Sequence, residues 1–182
     1  MYSLKMTLKP QDIVVLLKLC GYANSVRPAY SVIAAELSMS ASEVHAAVKR
    51  LKNSGFLHGS TLDEQPNLTA VEEFLIHGIK YSFPEERGKM TRGIPTSYAA
   101  EPLRNLITIG DEPLPVWAYP QGTTRGISVA PLYKTAPNAA LKDPILYQRL
   151  ALIDAIRGGR ARERKLAEQE LQKSLKLIYA ES

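Results

Sequence analysis

Apolar residues recur at helical spacing through the first third of the chain. Ile13, Leu16, Leu17 and Cys20 fall every three or four positions, which predicts a helix over residues 10–20. Pro10 suits its first turn, where a missing N–H costs no hydrogen bond, and Gly21 is a natural stop. A polar loop follows, then a second helix over residues 30–37 that turns Ile33, Ala34 and Leu37 inward. The third helix carries the clearest signal. Ser40 and Glu43 have the Ser-x-x-Glu spacing of a capping box, in which each side chain satisfies a backbone donor of the other's turn. Val44, Val48 and Leu51 then line one face, Gly55 ends the helix, and Phe56-Leu57 starts a strand.

Beyond Leu57 the pattern loosens. Residues 59–67 are polar and acidic, and Asn67 caps a helix over residues 68–79 with Val71, Leu75, Ile76 and Ile79 on one side. Residues 84–115, rich in proline and glycine, read as a long irregular segment. Residues 116–119 and 126–129 read as the two strands of a hairpin about Gln121-Gly122-Thr123-Thr124. Asp143-Pro144 opens a final helical region facing inward through Leu146, Leu150, Ile153 and Ile156, broken near Gly158-Gly159. Leu171, Leu175 and Ile178 continue an amphipathic helix to the end, where it is expected to pack on a second copy. The expected fold is mainly α with small β hairpins. It divides into residues 1–60, a middle part 61–140, and a helical extension 141–182.

Charge sharpens this division. The chain carries a net +5, but residues 1–60 hold +4, residues 61–83 hold −3, and the remainder holds +4. Two basic lobes therefore flank an acidic segment, a distribution that suits a nucleic-acid partner. No apolar run reaches the ~18 residues of a membrane span, and no secretory leader is apparent. The lone Cys20 cannot form an internal disulfide, so a reduced cytoplasmic setting is expected.

Three helices with a tight turn between the second and third are what a DNA-reading module needs: the third enters the major groove, N-terminus first. With Val44, Val48 and Leu51 anchored, the candidates facing outward or near the backbone are Arg27, Ser40, Ser42, His45, Ala46, Lys49, Arg50, Lys52 and His58. Hydroxyls at a helix start suit backbone or base-edge contacts, and the later cations suit phosphate. Elsewhere, Arg87, Lys89 and Arg92 could grip phosphate or simply solvate a loop, and Trp117 and Tyr119 fit a strand packed on the core. The basic run 157–165 is interleaved with glutamates, which favours local salt bridges.

The segment Ala34-Ala35-Glu36-Leu37-Ser38-Met39-Ser40 through Gly55-Phe56-Leu57 resembles the winged helix-turn-helix of MarR-like bacterial transcriptional regulators. The resemblance covers about 50 of 182 residues. It implies double-stranded DNA binding through the third helix, commonly by a homodimeric repressor on a two-fold site. In that family a basic wing follows directly, yet residues 59–65 hold no lysine or arginine. The wing is either short, with His58 at its base, or displaced to the 116–129 hairpin with Arg125 near its tip.

Enzyme signatures are missing: His45, His58 and His77 lack metal-ligand spacing, and no phosphate loop or Gly-x-Ser-x-Gly occurs. The expectation is a regulator without catalytic activity, cofactor or metal. The rival expectations are an antitoxin-like or defence-associated adaptor that binds a protein partner through its C-terminal half, and an RNA-binding protein.

Overall fold

The computed structural model describes residues 7–23, 25–60 and 63–180, the last two by backbone alone. Helix outweighs strand, 55% to 14%, so the mainly α expectation with small sheets holds. Helix α1 (Pro10–Cys20) opens on Asp12, whose carboxylate accepts from the Lys9 N–H at 2.8 Å. The expected stripe is wider than the spacing suggested, because Ile13, Val14, Val15 and Leu16 are all fully buried. A helix apolar all round must be covered all round. Here α3 (Ala41–Asn53) and α7 (Pro144–Gly158) both pack on it. One hydrophobic core therefore runs from Ile13 to Leu175, through all three of the parts expected from sequence.

Helix α2 (Tyr30–Leu37) ends at Ser38, in left-handed conformation (φ 54°), and α3 follows within three residues. The Asp12 carboxylate forks onto Arg50 of α3, accepting from Nε at 2.8 Å and from Nη2 at 2.6 Å. The aspartate is wholly buried and the arginine nearly so. Gly55 takes the left-handed backbone (φ 79°) that ends α3. Strands β1 (Leu57–His58) and β2 (Gln65–Pro66) then pair antiparallel. Asn67 caps α4 (Leu68–Glu73), which runs through a π turn (Phe74–Gly78) into α5 (Ile79–Ser82).

The next segment departs from expectation. The stretch read as irregular contains β3 (Arg87–Pro95), a nine-residue strand. It pairs antiparallel with both β4 (Pro115–Ala118) and β5 (Thr124–Val129). β4 and β5 are not the two arms of a hairpin: they pair parallel, Pro115 opposite Ile127, and close a three-stranded barrel. Glycine makes so small a barrel possible. A Cβ on Gly93 would sit 2.0 Å from the Trp117 carbonyl oxygen, one on Gly122 2.2 Å from that of Gly93, and one on Gly126 2.0 Å from that of Leu114. Backbone packs directly on backbone at three points, so Gly93 and Gly122, read as irregular segment and turn, are with Gly126 the closure itself.

Helices α6 (Ala136–Lys142), α7 and α8 (Ala161–Ala180) complete the chain. Asp143 caps α7, accepting from the N–H groups of Ile145 and Leu146 at 3.1 and 3.0 Å. The barrel is fastened to α7 by Asp154, 1% exposed. Its Oδ2 accepts from Trp117 Nε1 and Thr96 Oγ1, each at 2.7 Å, and its Oδ1 from Arg157 at 2.7 Å. Arg157 also donates to the Phe83 and Pro84 carbonyls. Burial pushes the Asp154 carboxyl up from its ordinary value, and these donors pull it back in part. The apolar face of α8 expected to pack on a second copy is largely used within the chain. Ala167, Leu171 and Leu175 are buried within their own chain, where α8 packs on α7 and α4.

The Asp12–Arg50 pair gives a direct stability test. Arg50→Met leaves a buried carboxylate without its counter-charge and is expected to cost about 3–5 kcal/mol. Asp12→Leu with Arg50→Met should recover most of that loss. Urea unfolding followed by fluorescence of Trp117, the sole tryptophan, measures both; equal losses in the single and double variants would contradict the pairing.

Candidate nucleic-acid interface

The start of α3 is built from its own side chains. Ser40 Oγ accepts from the Glu43 N–H at 3.2 Å, and Glu43 accepts from the Ser40 N–H at 2.8 Å, which closes the capping box read from sequence. With Val44, Ala47, Val48 and Leu51 inward, Ser42, His45, Ala46 and Lys49 stand exposed as one stripe at i, i+3, i+4 and i+7. Ser42 Oγ lies 3.0 Å from Ser40 Oγ, and His45 meets the Tyr30 ring edge to face at 5.1 Å. Lys49 has neither an ion pair nor a side-chain hydrogen bond among the described residues.

The other sequence candidates sit elsewhere. Arg50 is not on the outer face: its guanidinium is drawn into the core by Asp12, so it is unavailable to phosphate. Arg27 and Lys52 converge on Glu64, 5% exposed, at 3.6 and 3.2 Å. Tyr30 donates its hydroxyl to the same carboxylate, and burial with that bond pushes the phenol up from its usual value. Arg27 also lies over the Tyr30 ring at 4.3 Å. Glu64, beside β2, thus engages both cations and ties to α2 through Tyr30 and to α3 through Lys52. His58 is exposed on β1, away from the α3 stripe in sequence and in element. The displaced-wing alternative loses its hairpin, since Arg125 lies on β5 inside the barrel sheet, opposite Arg92 of β3.

Sequence reading missed the contribution of the C-terminal half. The Tyr133 hydroxyl donates to Glu43 at 2.7 Å, 90 residues away, and exposed Lys134 follows it. Lys142 of α6 reaches the α2–α3 turn, donating to the Ala35 carbonyl at 3.1 Å and to Ser38 Oγ at 3.0 Å. Nothing local marks these partners. The Ser40 N–H, the Tyr133 hydroxyl and the Ser40 hydroxyl together hold the Glu43 carboxyl down to about 2. The glutamate nearest the exposed stripe is therefore ionised but fully engaged.

Among the described residues no group of three or more His, Cys, Asp and Glu side chains could hold a metal, and no helix is long and apolar enough to cross a membrane. The stripe on α3 can offer hydroxyl, imidazole, methyl and ammonium groups to a partner lying along it. No protein-family model matches the chain, and neither a curated protein nor a solved structure matches it.

The depressed Glu43 value fixes the sign of one pH effect. The stabilisation from its box is complete above the ordinary value near 4.5 and is lost as pH falls through about 2. Tyr133→Phe should raise the Glu43 value toward 4.5 and move that loss to higher pH. Carboxyl-carbon NMR titration reads it directly, and an unmoved Glu43 would remove Tyr133 as a cause.

Proposed function

We propose that the protein is a sequence-specific double-stranded DNA-binding transcriptional regulator of winged helix-turn-helix type, with α3 as its major-groove reader. The observation that carries this reading is the exposed Ser42, His45, Ala46 and Lys49 stripe on a capped helix whose opposite face is locked into the core. Small side chains near the helix start allow close approach to base edges, and an exposed lysine one turn later suits phosphate. In this reading β1 and β2 form a short wing. It contains no lysine or arginine, so backbone grip falls to α3 and to cations such as Lys134 beside its start.

The protein acts by occupying a promoter. Two copies on a two-fold site would join through a surface other than the apolar face of α8, which is already covered. Lys49→Ala is expected to weaken binding on every duplex sequence alike and to reduce the slope of log affinity against log salt by about 0.9. Ser42→Ala with His45→Ala should instead narrow the gap between preferred and unrelated sequences. Fluorescence anisotropy with duplexes from the region upstream of the protein's own gene measures both. An unchanged salt slope in the lysine variant would take Lys49 out of the interface.

A further inference from the structure

The three-stranded barrel is basic throughout. Its strands β3, β4 and β5, with the 119–123 connection, hold Arg87, Lys89, Arg92 and Arg125 and no aspartate or glutamate. Arg87 pairs with Glu85 at 2.5 Å. Lys89, Arg92 and Arg125 are exposed, with neither an ion pair nor a side-chain hydrogen bond among the described residues. The acidic residues flanking the strands lie beyond their other ends. Glu112, beside Asp111 in the approach to β4, is held by Arg160 at 2.6 Å. Glu86 adjoins Ala130, past the end of β5, whose N–H donates to its carbonyl at 2.9 Å.

Arg92 and Arg125 stand directly opposite each other across β3 and β5. Cβ atoms so placed lie ~4.5–5.5 Å apart, and like charges there repel. Met90 and Ile127, two positions along, are also opposite, so all four side chains share one face. That face is the outer one, because Val116 turns inward, where a Cβ on Gly126 would lie 2.9 Å from its Cγ1. At one end the outer face carries Ile94 and Trp117, buried where Trp117 bonds Asp154 of α7. The end with Arg92 and Arg125 is open, and Met90 there is 45% exposed. Half-buried Tyr119 adjoins it, donating its N–H to the Arg92 carbonyl at 3.1 Å. Two guanidinium groups without a carboxylate suit phosphate. A duplex offers phosphates to such a surface but keeps its base faces stacked inside, whereas a single strand offers both. Apolar and aromatic side chains beside the arginines favour the strand. We propose that the open end of the barrel binds single-stranded nucleic acid, its backbone on Arg92 and Arg125 and its bases against Met90, Ile127 and Tyr119. This surface does not depend on the reading of α3.

Fluorescence anisotropy of the full chain with labelled oligothymidylate of about 12 nucleotides tests this. Arg92→Ala with Arg125→Ala should weaken binding by about tenfold or more. It should also reduce the slope of log affinity against log salt by about 1.4, two phosphates at about 0.7 each. The same variant should keep wild-type affinity for a blunt duplex of unrelated sequence, and a Tm no lower than wild type because two repelling charges are gone. Arg125→Gln alone, should the double variant fail to fold, should reduce the slope by about 0.7. Lys49→Ala should bind oligothymidylate as wild type does. Failure of the wild type to bind it at low salt, or an unchanged slope in the arginine variants, would overturn the proposal. So would an equal loss on the duplex, or loss of the strand in Lys49→Ala. Displacement of the strand by polyglutamate at equal charge would overturn it too, marking a surface for acidic peptides. Arginine-dependent strand binding without any duplex binding would support this site and remove the α3 reading.

Discussion

Asp12 lies in the first turn of a helix with no solvent-facing side along its middle, and its charge is met by Arg50 reaching it from α3. Because a bidentate guanidinium–carboxylate pair is geometrically specific, that contact adds to the apolar anchors in setting how α3 turns about its own axis. With Arg50 held inward alongside Val44, Val48 and Leu51, the remaining positions of the helix have one way to face. Ser42, His45, Ala46 and Lys49 face outward opposite this inward set. The same requirement, that a buried charge find its opposite, places Glu64 under Arg27 and Lys52 and fastens the barrel to α7 through Asp154 and Arg157. The buried pairs thus orient elements that apolar packing alone would leave freer to turn.

The C-terminal half completes the N-terminal module. Ser38 is held left-handed, a conformation costly for a residue with a Cβ, and Lys142 bonds both its hydroxyl and the Ala35 carbonyl beside it. Tyr133 holds the capping glutamate of α3. α1 is the shared centre, with α3 on one side and α7 on another. The packing of α6 and α7 thus supports the turn that sets α3.

Where local chemistry decided the outcome, the residues were readable. Pro10, Gly21, the Ser40–Glu43 box, Asn67 and the Asp143 cap all act within a few positions of themselves, and the helices they bound lie where the spacing put them. Distant partners decided the remainder. Arg50 looked like a phosphate contact because its neighbours are Lys49 and Lys52, and nothing near it in sequence announces Asp12. The barrel was hidden for a different reason. Gly93 and Gly122 are short-range signals for loop and turn, whereas their use here, with Gly126, is backbone-to-backbone closure between strands. Parallel pairing of β4 with β5 across a five-residue connection leaves no periodic trace, and a turn between two apolar runs reads as a hairpin. On α3, the outward stripe was legible from the apolar anchors alone. The withdrawal of Arg27, Arg50 and Lys52 from the candidate contacts was not, since each is engaged by a carboxylate that tertiary structure supplies.

The most direct test of α3 as the reading element is lysine footprinting of the intact protein on duplex DNA from upstream of its own gene. Lys49, Lys89 and Lys165 are all exposed in the free protein, so each should acylate readily there. Bound DNA should protect Lys49 strongly and leave Lys89 and Lys165 reactive. Full reactivity of Lys49 in a complex that protects Lys89 or Lys165 would contradict the account.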